Sequence, residues 1–118
     1  MAAKDALGRR GEELAAAYLA EHGLVVLDRN WRCRLGELDI VCTDTRRLVV
    51  CEVKTRSGTR FGEPAEAVTP RKVARIRRLT QAWLAAHHVR WCGVRFDVVA
   101  VLMEPDRPPT LQHYEAAF

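Results

Sequence analysis

The sequence predicts an α/β sandwich around a mixed sheet. Two segments repeat their apolar residues at helical spacing, four apolar runs have strand length, and the order along the chain is helix, three strands, helix, strand. The 118 residues suffice for one domain with a single core, so residues 1–118 are read as one unit.

The first helix is expected over about Asp5 to His22. Leu7, Leu14, Ala17, Tyr18 and Leu19 make its apolar stripe, and Gly23 supplies the stop. Gly8 and Gly11 weaken its first turns, which moves the expected regular start toward Arg9 or Arg10. Leu24-Val25-Val26-Leu27 opens a strand that continues through Asp28-Arg29-Asn30-Trp31 toward a turn. A second strand spans about Gly36 to Thr43, Asp44-Thr45-Arg46-Arg47 turns the chain, and a third runs from Leu48 to Thr55. Arg56 to Pro64, with two glycines and a proline, reads as a loop leaving that strand.

A second helix begins near Pro70 with Thr69 as its N-cap. Val73, Ile76, Leu79, Ala82 and Trp83 form its buried stripe, opposite a basic face of Arg71, Lys72, Arg75, Arg77 and Arg78. Val94 to Leu102 is the fourth strand, ended by Pro105, Pro108 and Pro109, and the tail has room for a short edge strand.

Composition narrows the functional classes. The longest apolar runs, at about five residues, fall far short of the ~20 that span a bilayer, so no membrane partner is expected. The N-terminus Met1-Ala2-Ala3-Lys4-Asp5 lacks the apolar core of a secretory signal, which makes the cytoplasm the expected location. Cys33, Cys42, Cys51 and Cys92 are spaced 9, 9 and 41 apart without a Cys-x-x-Cys pair, so they read as free thiols rather than a zinc site. A net charge of +4 is compatible with an acidic partner such as nucleic acid.

The chemistry concentrates on the second and third strands. Glu37, Asp39 and Val41 share one face of the second; Glu52 and Lys54 share one face of the third with Leu48 and Val50. With the hairpin turning near residues 45 and 46, Asp39 comes to lie approximately opposite Glu52. Opposed carboxylates repel and weaken a sheet. A divalent cation between them removes that penalty, and oxygen-only ligation suits Mg²⁺ or Mn²⁺ rather than zinc. Lys54 would then lie beside the attacking water; whether it orients that water or acts as its base is open.

Taken in order, Gly11-Glu12, Gly36-Glu37-Leu38-Asp39-Ile40-Val41, Glu52-Val53-Lys54-Thr55-Arg56, Phe61-Gly62 and Arg95-Phe96-Asp97-Val98-Val99 resemble the YraN (UPF0102-type) family over about residues 8 to 101. That family has the fold of the PD-(D/E)XK nucleases and is similar to archaeal Holliday-junction resolvases. The resemblance implies a restriction-endonuclease-like αβββαβ core, a mixed central sheet flanked by helices. It implies that Asp39 and Glu52 bind the metal, with the Val53 carbonyl as a further ligand, that Lys54 serves the water and that Glu12 reaches the metal from the first helix. Leu38 stands where the superfamily signature has proline, a position without a chemical role.

The expected function is metal-dependent hydrolysis of DNA phosphodiesters, branched or damaged DNA included. Arg56 and Arg60 in the loop, and Arg71, Lys72 and Arg75 on the second helix, are the candidate phosphate contacts. A homodimer suits a junction substrate, because two symmetric strands need two sites. The alternative is a nucleic-acid-binding or partner-binding protein without turnover on the same scaffold.

Overall fold

The computed structural model describes residues 3–57, 68–90 and 92–118. Its elements are α1 (Ala3–Glu21), β1 (Val25–Cys33), β2 (Gly36–Thr43), β3 (Leu48–Ser57), α2 (Pro70–Ala86), β4 (Val94–Met103) and β5 (Thr110–Tyr114). The described strands form one sheet in the order β1-β2-β3-β4-β5, antiparallel throughout except for the parallel pair β3 and β4. Short connections force the first three strands to alternate direction. The excursion through α2 is what lets β4 return parallel to β3.

Among the described residues, each face of the sheet carries one helix. Ala15, Ala16 and Leu19 of α1 pack with Ile40, Cys42, Val49, Cys51, Val99 and Val101. Ile76, Leu79, Trp83 and Leu84 of α2 pack with Leu38, Val41, Leu48, Val50 and Phe96. Two runs of strand residues thus alternate between two cores, which is why β2, β3 and β4 are apolar on both faces.

The α1 helix differs from the sequence expectation in two ways. It is continuous from Ala3 through both glycines, because packing against the sheet offsets a glycine penalty of about 1 kcal/mol each. Its buried side is Gly11, Ala15, Ala16 and Leu19, while Ala17 is exposed. These small residues let the helix axis come close to β3. A Cβ at Gly11 would collide with the side chain of Thr55.

The α2 helix starts as expected, with the Thr69 hydroxyl accepting from the Lys72 amide at 3.2 Å and Pro70 in the first turn. In the hairpin turn, Asp44 Oδ1 accepts the amides of Arg46 and Arg47, each at 2.9 Å. The third strand runs longer than expected. Its parallel ladder with β4 holds as far as Ser57↔Met103, so Arg56 belongs to the strand and not to a loop. The tail forms the edge strand β5, and Ala117 then donates to the Phe96 carbonyl at 2.7 Å while Phe118 stacks on the Phe96 ring.

Candidate functional site

The sheet gives way at one rank across three strands. Between β1 and β2 the pairing passes from Arg29↔Ile40 to Trp31↔Leu38, which brings Asn30 opposite Asp39. Between β2 and β3 the ladder ends at Ile40↔Cys51, one step before Asp39 would meet Glu52. Asn30 has a left-handed backbone, φ 51°. Strict alternation also fails here: Leu38 packs on the α2 side and Ile40, two residues on, on the α1 side. Side chains fill the place of the missing ladder bonds. Asp39 Oδ2 accepts the main-chain amide of Val53 at 2.9 Å. A strand residue points its N–H and C=O to the same neighbour, so the Val53 carbonyl is directed to this edge as well.

Three carboxylates converge on this rank. Glu12 from α1 and Glu37 and Asp39 from β2 each place an oxygen within 4.8 Å of the others. Glu12 arrives through the close approach at Gly11, whereas its neighbour Glu13 is exposed. The Asn30 amide donates to Glu12 Oε1 at 2.7 Å and to Glu37 Oε1 at 2.8 Å. Arg32 Nε lies 3.3 Å from Glu37 Oε2.

The electrostatic consequence falls on Asp39. Burial first, then the charge of Glu52, and with them those of Glu12 and Glu37, push its carboxyl up to about 8 against the opposing pull of the Val53 amide. Glu52 projects toward α2, where Lys72 Nζ lies 2.9 Å from its Oε1; the two side chains are 15% and 26% exposed. Lys54 is half-buried and shares the face of Glu52 by strand alternation.

The sequence-predicted residues thus divide. Glu12 and Asp39 come together, with Glu37 as the third carboxylate, and Val53 meets Asp39 through its amide. Glu52 stands outside that cluster, near enough for its charge to act on Asp39 but paired with Lys72, and Lys54 follows it on β3. Lys72 is engaged with Glu52, Arg56 is half-buried on β3, and Arg71 and Arg75 are exposed on α2. Arg60, Phe61 and Gly62 lie outside the described residues. Asn30 was missed by sequence reasoning. The available signal was an asparagine inside a strand, where that residue is depleted and where it tolerates a left-handed backbone.

The donors present are carboxylate and carbonyl oxygens, the set that hard cations take. The carboxylate oxygens, all within 4.8 Å of one another, are near enough to share one such ion. A residue set that raises the proton affinity of Asp39 at neutral pH is one that a divalent cation would relieve.

A second polar centre lies elsewhere on the sheet. Asp97, 0% exposed, receives Arg95 Nε and Nη2 at 2.9 and 2.8 Å, the Ala116 amide at 3.0 Å and contact from His113 Nε2 at 2.7 Å. Burial alone would raise its carboxyl; these partners together hold it below the usual range. Among the described residues no buried polar side-chain atom lacks a partner. Among them, too, no helix is long and apolar enough to cross a membrane.

Comparison with known proteins finds a family, close relatives in sequence and a solved structure of similar fold. The family model described as "Uncharacterised protein family UPF0102" matches residues 11–101. A UPF0102 protein of Frankia alni is 60% identical over 118 residues, covering 100% of this chain and 98% of its own. One of Acidothermus cellulolyticus is 53% identical over 126 residues, covering 98% and 96%. Among solved structures, Archaeoglobus fulgidus Hjc, a Holliday junction resolvase from an archaeal hyperthermophile, superposes with a TM-score of 0.52 at 15% identity. That match covers 92% of this chain and 77% of the resolvase. At that identity the likeness is one of fold, and the fold is the resolvase or restriction-endonuclease-like one.

Proposed function

The chain belongs to the uncharacterised protein family UPF0102, and from that premise we propose that it is a divalent-metal-dependent nuclease hydrolysing DNA phosphodiesters, branched DNA included. The observation that carries this reading is the half-buried Asp39 carboxyl. It sits beside Glu12, Glu37 and Glu52, on the fold shared with a Holliday junction resolvase.

In this reading Asp39, Glu52 and the Val53 carbonyl would hold Mg²⁺ or Mn²⁺, with Glu12 contributing from α1. The bound ion supplies Lewis-acid polarisation of the phosphoryl oxygen and acidifies a water. Lys54, on the same strand face as Glu52, would supply positive charge to the phosphoryl group as negative charge develops on it. Arg56, Arg60, Arg71, Lys72 and Arg75 neutralise neighbouring phosphates and set the DNA's register. The single endonuclease-like domain would act as a homodimer on a symmetric junction.

The test is cleavage of linear, nicked, flapped and four-way DNA by highly purified wild type and Asp39→Ala, with Mg²⁺, with Mn²⁺ and with chelator. Metal-dependent cutting by wild type, lost in Asp39→Ala while the fold is retained, is the expected result. Equal trace cutting by both proteins would assign the activity to contamination and sink the proposal.

The Lys72–Glu52 ion pair favours a second reading, nucleic-acid binding without turnover, because it engages a carboxylate that catalysis would use. DNA binding that weakens steeply with salt and is unchanged in Asp39→Ala, with no cleavage, would establish it.

A further inference from the structure

The arrangement around Asn30 reaches past the ligand set just proposed, and it rests on that metal reading. We propose that Asn30 is a positioning residue of the site. It fixes the Glu12 carboxylate in place through an Arg32–Glu37–Asn30–Glu12 chain, and Glu37 serves as its anchor rather than as a metal ligand.

The geometry is specific to each group. One amide nitrogen carries two N–H bonds, and Asn30 uses its nitrogen on two carboxylates from different elements, at 2.7 and 2.8 Å. An amide cannot donate in two directions unless both acceptors are held around it, so α1 and β2 are tied through β1. The left-handed backbone at Asn30 sits at the rank opposite Asp39, a conformation asparagine adopts more readily than other side-chain-bearing residues.

Charge explains why an amide serves here. Lysine or arginine between Glu12 and Glu37 would also hold both, but would cancel charge that attracts a cation. A neutral donor orients Glu12 and leaves its negative potential intact, while Arg32 offsets only the charge of Glu37.

The two glutamates are not equivalent. Both Glu37 oxygens are engaged, Oε1 by Asn30 and Oε2 by Arg32, whose own side chain is 76% exposed. Glu37 therefore faces its partners from both sides. Glu12 is bound by Asn30 through Oε1 and lies within reach of Asp39.

Calorimetric titration of Mn²⁺ into wild type, Asn30→Gly, Glu12→Gln, Glu37→Gln and the double variant Glu12→Gln/Asn30→Gly separates the roles. Glycine keeps the left-handed backbone and removes only the amide. Loss of a residue that orients a ligand is expected to weaken Mn²⁺ about 10- to 100-fold in Asn30→Gly. The double variant should bind within about 2-fold of Glu12→Gln, since Asn30 acts through Glu12. Glu37→Gln retains an acceptor for Asn30 and should stay within about 3-fold of wild type, whereas a lost carboxylate ligand would cost more than 10-fold.

Folding is checked by circular dichroism. If Asn30→Gly does not fold, Asn30→Ser, with one shorter donor for two carboxylates, should give an intermediate loss. Wild-type affinity in folded Asn30→Gly or Asn30→Ser, additive losses in the double variant, or a collapse of binding in Glu37→Gln would each overturn the assignment while leaving metal binding standing. Wild type that takes up no Mn²⁺ overturns the metal reading itself, and this role with it.

Discussion

The Asp39 carboxylate accepts the main-chain amide of Val53 at 2.9 Å, so a side chain of β2 stands where a ladder bond to β3 would otherwise form. This places a half-buried acid against the strand that carries Glu52 and Lys54. It also means that the site's electrostatics are written into the stability of the sheet.

The pH dependence follows from that placement. Asp39 has a folded value of about 8, above its unfolded value of about 3.9. The folded chain therefore holds a proton that the unfolded chain releases. Stability from this group is fully present below about pH 4 and is lost as pH rises toward 8. In metal-free urea titrations, wild type should lose stability across this window relative to Asp39→Asn, which cannot ionise. Excess Mn²⁺ should reverse the loss. Parallel curves for the two proteins from pH 4 to 9 would contradict the assignment.

Gly11→Ala should uncouple α1 from the sheet. The new Cβ meets Thr55 atoms on β3, and forced overpacking of this kind costs about 1–3 kcal/mol. Because Glu12 follows directly, Mn²⁺ affinity should fall with stability. Thr55→Ala removes the hydroxyl and methyl in the way and should restore part of both. Denaturation and calorimetry on the single and double variants check this, and absence of rescue would mean that the collision is not the cause.

Lys72 competes with any cation for Glu52. Their contact at 2.9 Å is largely sheltered, and about 1 kcal/mol for such a pair corresponds to roughly 5-fold in affinity. Lys72→Met should therefore tighten Mn²⁺ by about that factor while reducing the salt slope of DNA binding by about one phosphate contact. Weaker Mn²⁺ binding in Lys72→Met would show that the lysine supports the site instead of competing for it.

Asp97 should matter for stability alone. It ties Arg95 on β4 to His113 on β5 and to the Ala116 amide, and Arg95 Nη1 continues to Glu115 at 2.9 Å. Asp97→Ala leaves the half-buried Arg95 with Glu115 as its remaining ion-pair partner, a loss of about 3 kcal/mol. Mn²⁺ affinity measured on the folded fraction should be unchanged. A change in affinity would connect this centre to the candidate site.

Particular elements show what could be read without coordinates. Thr69-Pro70 located the start of α2 because capping and proline geometry are local. The Asp44–Arg47 turn likewise fixed the β2–β3 register, and with it the placement of Asp39 near Glu52. The α1 stripe was misread at Ala17: periodicity finds a face, but only the sheet surface decides which small residues it covers. The two glycines and the proline in Arg56 to Pro64 read as a loop, whereas pairing with β4, distant in sequence, keeps Arg56 in the strand.

The sequence by itself determined the element order and the mixed α/β sheet, and it named Glu12, Asp39 and Glu52 as candidates, since these readings rest on periodicity, local turn chemistry and ordered motifs. Only the tertiary structure decided what those acids touch. Asn30 between Glu12 and Glu37, Lys72 on Glu52 and the Val53 amide on Asp39 are contacts between elements far apart in the chain. Their geometry depends on how closely α1, α2 and the strands approach one another, and no local pattern of residues encodes that distance.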